Sequence, residues 1–222
     1  ERYLASMGIY VFSMSALRKA LDNTLTDFGA EVIPAAISTM HVGSYVFGGY
    51  WEDIGTVLSF YHANLNLASI NPDFNLYLEE TPIYTGRRNL PPSKINFSTI
   101  AQSLAAEGSI ITNATINHCI VGIRTIIETG ATLDGVVCMG ADYYETAAQR
   151  AANRAAGVPN VGIGSGTIVR RAIIDKNARI GENCRIGIDS RDRPDQDAEC
   201  WSIRDGIVVI HKNGVLAPGT VI

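Results

Sequence analysis

Asp53 is the carboxylate best placed for chemistry in the first part of the chain. It stands between Trp51 and Gly55, just ahead of a stretch with helical spacing at Val57, Leu58, Tyr61, Leu65 and Ala68. A carboxylate there can hold a divalent metal, or it can accept hydrogen bonds from the first amides of the helix; the residues alone leave both readings open. No second carboxylate joins it at motif spacing, and the 222 residues contain neither GxGxxG nor GxxxxGK. The phosphate-cradling loop that a nucleotide enzyme needs is therefore missing from this sequence. Gly162-Ile-Gly-Ser-Gly166 is dense in glycine, but the rest of a nucleotide fingerprint does not follow, and it reads as a turn that opens a coil.

Cationic residues gather in three places: Arg87 with Arg88, Arg170 with Arg171 and Lys176, and Lys212 beside His211. As isolated side chains they are ordinary solvated charges. On a solenoid, residues far apart in sequence reach neighbouring coils, and Lys176 and Lys212 would then meet the arginines around a phosphorylated ligand. Arginine offers paired planar donors to such an anion, and lysine a compact charge. The four cysteines (Cys119, Cys138, Cys184 and Cys200) form no CxxC element, and the four histidines add no metal spacing. Cys119 and Cys184 read as small inward or turn residues.

The solenoid is argued from an unusual period. Ile174, Ile180 and Ile186 recur every six positions, with glycine after the last two. Six is neither the helical nor the strand period. It suits short strands that each present one aliphatic side chain to a narrow core, with Gly and Asn at the sharp turns. The same step recurs at Val209, Val215 and Val221, at Leu104, Ile110 and Ile116, and at Val121, Ile127, Leu133 and Met139. The second half is therefore expected to be a parallel β-helix. Two interruptions are expected to leave it at corners: the alanine-rich stretch 141–156 as a helix or helical loop, and the charged stretch 189–199 as a solvated loop.

Ahead of the solenoid, residues 7–12 and 42–50 read as strands. Ser13 or Ser15 caps a helix carrying Leu17, Leu21 and Leu25, and Asp27 caps a second one that Pro34 breaks or delays. That alternation suits the edge of an α/β domain, with too few strands for a complete sheet. A proline-rich connector over 71–94 follows. A sequence that begins at Glu1 and is soon in a strand is expected to be part of something larger.

With 46% hydrophobic and 18% charged residues, 21 glycines and a formal net charge of -4, the chain is expected to be globular and to have no affinity for nucleic acid or membrane surfaces. Nothing in it has the length of a membrane span, and the expected setting is cytoplasmic with reduced thiols.

Five stretches together resemble one family: Ala5-Ser-Met-Gly-Ile-Tyr-Val-Phe12, Tyr50-Trp-Glu-Asp-Ile-Gly-Thr56, Pro82-Ile-Tyr-Thr-Gly-Arg-Arg-Asn-Leu-Pro-Pro-Ser-Lys94, Gly140-Ala-Asp-Tyr-Tyr-Glu-Thr146 and Ile174-Asp-Lys-Asn-Ala-Arg-Ile-Gly181. They are similar to glucose-1-phosphate adenylyltransferase. The resemblance implies part of a Rossmann-like nucleotidyltransferase domain over 1–75, a connector over 76–94 and a left-handed parallel β-helix over 95–222 that regulates and oligomerises. It implies ADP-glucose synthesis from ATP and glucose 1-phosphate with Mg²⁺, in a tetramer that feeds glycogen or starch synthesis and responds to phosphorylated metabolites or inorganic phosphate. It places Asp53 at the metal and Ser6, Trp51 and Glu52 in the region of the sugar phosphate, and it makes Lys176, Lys212, Arg87 and Arg88 the effector contacts. His211-Lys-Asn-Gly214 departs from the family pattern on both sides of its Lys-Asn pair. The catalytic glycine-rich loop has no counterpart here, so the 222 residues alone are expected to be inactive. The rival readings are an acyltransferase, with His118 as its base, and a non-catalytic assembly or regulatory module.

Overall fold

A computed structural model describes residues 5–222, in two compact units: one ends at Trp51, and the other spans Glu52–Ile222. Glu1 lies outside the described residues.

The first unit is helical. Ser13 caps α1 (Met14–Ala20) by accepting from the Ala16 amide. Asp27 accepts from the Ala30 amide and opens a π-helical turn over Phe28–Val32 that runs into α2 (Ile33–Ile37). The π turn meets the constraint set by Pro34, which has no amide to donate and crowds the preceding turn. Glu31 accepts from the Thr26 and Asp27 amides, which hold its carboxyl below the usual range. The stretches 7–12 and 42–50 form no strand among the described residues. A strand exists only as half of a ladder, and no ladder among the described residues includes either stretch. Val11, Tyr45 and Val46 are accordingly exposed.

The second unit is a parallel β-helix with three faces. Its coils stack in register: Ile95, Ile111, Ile127, Ile163, Ile180 and Leu216 succeed one another along the first face. Ile100, Ile116, Leu133, Val169 and Ile186 do so along the second. Ala105, Val121, Cys138, Ile174 and Ile210 do so along the third. From Ile111, Ile116 and Val121 downward these side chains are buried in one continuous core, and each large aliphatic contributes roughly 1.5–3 kcal/mol. Backbone amides of one coil donate to carbonyls of the next, as Ile110 does to Thr125 and Thr132 to Thr167, which satisfies polar groups that flank a narrow core.

The six-residue step is present, but its phase differs from the sequence reading in two blocks and at the end of a third, where Cys138 rather than Met139 faces the solenoid core. Val215 and Val221 face solvent, while Ile210, Leu216 and Ile222 are inward. Adjacent aliphatics (Val209-Ile210, Val215-Leu216, Val221-Ile222) satisfy the period in either phase, and only pairing with Ile174 and Ile180 selects one. Near the start, Ile111 is buried in place of Ile110, because the steps to Ile116 and Val121 are five residues rather than six.

The alanine-rich interruption contains α4 (Ala147–Ala155), capped by a reciprocal Thr146–Gln149 pair and with no buried residue. The second interruption differs from a plain loop. Gln196–Asp197 pairs with Trp201–Arg204, which pairs antiparallel with Ile207–Ile210 and so extends the third face as a hairpin. Of this hairpin the six-residue step singles out only Val209.

One helix docks on the solenoid. Thr56 and Ser59 form a capping box at the start of α3 (Val57–Asn66), and Tyr61, Leu65, Val57, Leu58 and Phe60 pack with Val137, Ile173 and Ile207 on the outside of the third face. The Tyr61 hydroxyl donates to the Gly135 carbonyl at 2.7 Å, and the Arg171 guanidinium lies 5.8 Å from its ring centre. Burial pushes the Tyr61 hydroxyl up to about 12, against the opposing pull of Arg171. Tyr61→Phe strands the Gly135 carbonyl under α3, and is expected to cost about 1–2 kcal/mol. Chemical denaturation measures it, and an unchanged midpoint would remove that hydrogen bond from the account of docking.

Candidate functional site

The corners of the solenoid position its charged residues. A three-sided coil must turn sharply within one or two residues at each corner, and a residue in the left-handed region makes such a turn. On one edge that role falls to Gly108, Arg124, Asn177 and Asn213; asparagine tolerates this conformation better than most residues, because its short amide can bond locally. Backbone bonds order the edge rung by rung: Gly108 donates to Pro91, Arg124 to Glu107, Ala141 to Ile123, Asn177 to Gly140 and Asn213 to Lys176. Lys176 and Lys212, each just before an asparagine corner, thus occupy equivalent places on successive coils.

Asp142, on the coil above, faces both lysines. Its Oδ1 is 2.9 Å from Lys176 Nζ, and its Oδ2 is 4.0 Å from Lys212 Nζ. Asn177 donates from Nδ2 to Asp142 Oδ2 at 3.1 Å and to Asn213 Oδ1 at 3.1 Å, and its own Oδ1 accepts from the Asp142 amide at 2.8 Å. Side-chain exposures of 43% for Asp142, 30% for Lys176 and 55% for Lys212 leave the cluster open to water. The hydrogen bond from Lys176, then that from Asn177, hold the Asp142 carboxyl below its usual range.

Arg87 and Arg88 are exposed in the connector, where Arg88 donates weakly to the Gly86 carbonyl. Pro91, just after them, is four rungs above Lys176 on the same edge, roughly 19 Å at the usual spacing between strands. They share the edge with the lysine pair but make no direct contact with it. Arg171 bonds the Gly206 and Asp205 carbonyls at another corner, and Arg170 lies on a sheet face beside Asp134. His118 is itself a left-handed corner residue.

Asp142 belongs to Gly140-Ala-Asp-Tyr-Tyr-Glu-Thr146, and the structure accounts for that stretch. Gly140 has φ 88°, and a Cβ there would lie 2.2 Å from the Ile123 carbonyl oxygen. Tyr144 donates to the Gly108 carbonyl at 2.7 Å and lies under the Arg124 guanidinium. Glu145, with 4% of its side chain exposed, pairs with Arg179 at 2.7 Å and accepts from Asn153 and the Val161 amide. Sequence reasoning singled out the lysines and missed Asp142, Asn177 and Asn213. The Lys-Asn pair repeated at 176–177 and 212–213 was the available signal.

Among the residues placed near the sugar phosphate, Ser6 and Trp51 lie in the first unit and Glu52 and Asp53 in the second, all exposed. Ser6 Oγ accepts from the Gly8 amide and lies 2.9 Å from the Tyr10 hydroxyl. Asp53 Oδ1 accepts from the Gly55 amide at 2.9 Å, a local turn ahead of the Thr56 cap. Among the described residues no three His, Cys, Asp or Glu side chains converge on a metal position. A lone exposed carboxylate suits Mg²⁺, which is commonly held by one or two carboxylates, water and substrate phosphates.

A cavity of about 300 Å³ lies on the first face between the C-terminal end of α4 and the strands, over Gly162, Gly164 and Gly181. No helix is long and apolar enough to cross a membrane, among the described residues.

Residues 88–221 match the family described as the GLGC left-handed parallel beta-helix domain, and residues 1–70 match that described as Nucleotidyl transferase. The first match spans more than half of the chain and supplies the left hand of the solenoid.

Glu145→Gln is expected to destabilise the unit by about 3 kcal/mol, since it leaves Arg179 without its charge partner. Burial works to raise the Glu145 pKa, but the Val161 amide, Arg179 and Asn153 together hold it below its ordinary value of 4.5. Its contribution is therefore full above that value and is lost as pH falls through the depressed folded one. Thermal melts from pH 7 to 3 should show a steeper acid loss in the wild type than in the variant; parallel curves would assign the pH dependence elsewhere.

Proposed function

The chain belongs to the GLGC left-handed parallel β-helix family, and from that premise we propose that it is part of a glucose-1-phosphate adenylyltransferase, with the solenoid binding phosphorylated effectors. Its matches to the GLGC β-helix domain and to a nucleotidyl transferase support a place in a nucleotide-sugar pyrophosphorylase family. The finer reading joins ATP to glucose 1-phosphate, giving ADP-glucose and pyrophosphate for glycogen or starch synthesis in the cytoplasm. One observation carries the regulatory part: Lys176 and Lys212 are stacked on adjacent coils, half open to water, with one carboxylate between them. Two ammonium groups in that position provide up to six donors for phosphate oxygens. Effectors of the kind named for this family (phosphorylated sugars, 3-phosphoglycerate, AMP or inorganic phosphate) present the matching chemistry, with Arg87 and Arg88 approaching from the connector.

Asp53 would hold Mg²⁺ in the complete enzyme, and Ser6, Trp51 and Glu52 would adjoin the sugar phosphate. The ion would neutralise phosphate charge during nucleotidyl transfer. Trp51 offers a ring face to the sugar, and Glu52 a second acceptor beside the metal-binding carboxylate. Subunits would assemble into a tetramer through the solenoid.

Calorimetry of this chain with fructose 6-phosphate, fructose 1,6-bisphosphate, 3-phosphoglycerate, AMP and phosphate tests the reading. At least one should bind, and Lys176→Ala should weaken it about tenfold by removing a charge-assisted contact, while thermal stability falls by less than about 1 kcal/mol because the pair is exposed. Absence of binding by all five would sink the effector assignment.

The 222 residues by themselves are expected to release no pyrophosphate from ATP and glucose 1-phosphate, since they carry no glycine-rich phosphate loop. A coupled pyrophosphate assay measures this, and sustained turnover would overturn it.

A further inference from the structure

We propose that Asp142 is an internal ligand of the lysine corner: its carboxylate occupies the place of an external anion, and a phosphate group binds there by displacing it. This rests on the reading above that Lys176 and Lys212 bind anions, and it assigns a specificity-determining residue to that site.

The contacts have the form of an anion complex. The two carboxylate oxygens divide between the two lysines, Oδ1 to Lys176 at 2.9 Å and Oδ2 toward Lys212 at 4.0 Å, as two oxygens of a phosphate would. The carboxylate is also held for this purpose. Asn177 clasps Asp142 at both ends, accepting from its amide and donating to its Oδ2, and Asn213 holds the Asn177 amide from the coil below. A side chain that met the lysines by chance on a solvated surface would have no such fixing.

Its exposure of 43% means that exchange with a solute anion requires no unfolding. Lys212 is the loosely engaged member and the more exposed, so an incoming anion meets it first.

The tether has a chemical consequence. A carboxylate fixed beside its lysines competes at the high effective concentration of an intramolecular group. Solute monoanions such as acetate offer no more charge than the group they must replace. A phosphate dianion carries a second charge and more acceptor oxygens, and it can engage both ammonium groups while Asp142 turns toward water. The carboxylate thereby sets a threshold that selects dianionic phosphate groups.

The test is an amide NMR titration of the chain with inorganic phosphate, followed at Asn177 and Asn213. Asp142→Asn keeps the shape and the Asn177 clasp but removes the competing charge; phosphate should bind about two- to fivefold tighter, the range that an exposed ion pair represents. Placing Lys176→Ala in the Asp142→Asn background should abolish that gain. Unchanged or weaker phosphate binding by Asp142→Asn would overturn the internal-ligand role while leaving an anion site in place. A gain that survives in the double variant would overturn it too, as a long-range charge effect. No phosphate-dependent shift in either the wild type or Asp142→Asn would overturn both this inference and the effector reading.

Discussion

The structure depends on one constraint, the parallel ladder that locks each coil to the next at a fixed rung. Once Ile174 is paired with Cys138 on one side and Ile210 on the other, every residue along the coil has its neighbour assigned. Core packing and surface chemistry then cease to be independent. The inward aliphatics set the register, and the register decides which outward charges meet. Lys176 and Lys212 are thirty-six residues apart in the chain, yet stand on consecutive rungs because Ile174 and Ile210 do.

Corners are where this constraint leaves room for chemistry. Side chains on the faces are committed to the core or flank the strands, whereas a corner side chain such as Asn177, though buried, lies between neighbouring coils and can bond to both. Asparagine at two successive corners serves both needs. It accepts the backbone conformation at little cost, and its amide links Asp142 on one coil to Asn213 two coils below. The site is thus built from the residues that fold the corner, together with two lysines that contribute little to folding.

Much of the architecture was legible because its period is unlike that of any helix or strand. Ile174, Ile180 and Ile186 were placed inward by spacing alone, and all three are buried. The last block failed in phase because each inward residue has an aliphatic neighbour, and hydrophobicity cannot choose between Val215 and Leu216 without the partner Ile180. The strands expected at 7–12 and 42–50 failed for a related reason. Val11 and Tyr45 have strand-forming side chains, but pairing is a property of two segments, and local composition describes one. Lys176 and Lys212 were visible as charges on the repeat, but the connector arginines expected to meet them make no direct contact with the pair. Asp142 was invisible as a site residue because it enters from the insertion, outside any repeat.

That insertion shows how a break in a repeat can be made to serve the repeat. The chain leaves the stack after Gly140 and returns at Val161, and without fixing, the departing segment would be free to drift. Tyr144 ties it to the Gly108 carbonyl one way along the stack, and Glu145 ties it to Arg179 the other way. Between these anchors, the backbone at Asp142 is held over the Asn177 corner, where its amide donates to Asn177 Oδ1. The position of the carboxylate is therefore set by contacts to two other coils, those of Gly108 and of Asn177 and Arg179. Glu145 and Tyr144, which touch neither lysine, thus help to determine where the counter-charge stands, and α4 contributes through Asn153, which donates to Glu145.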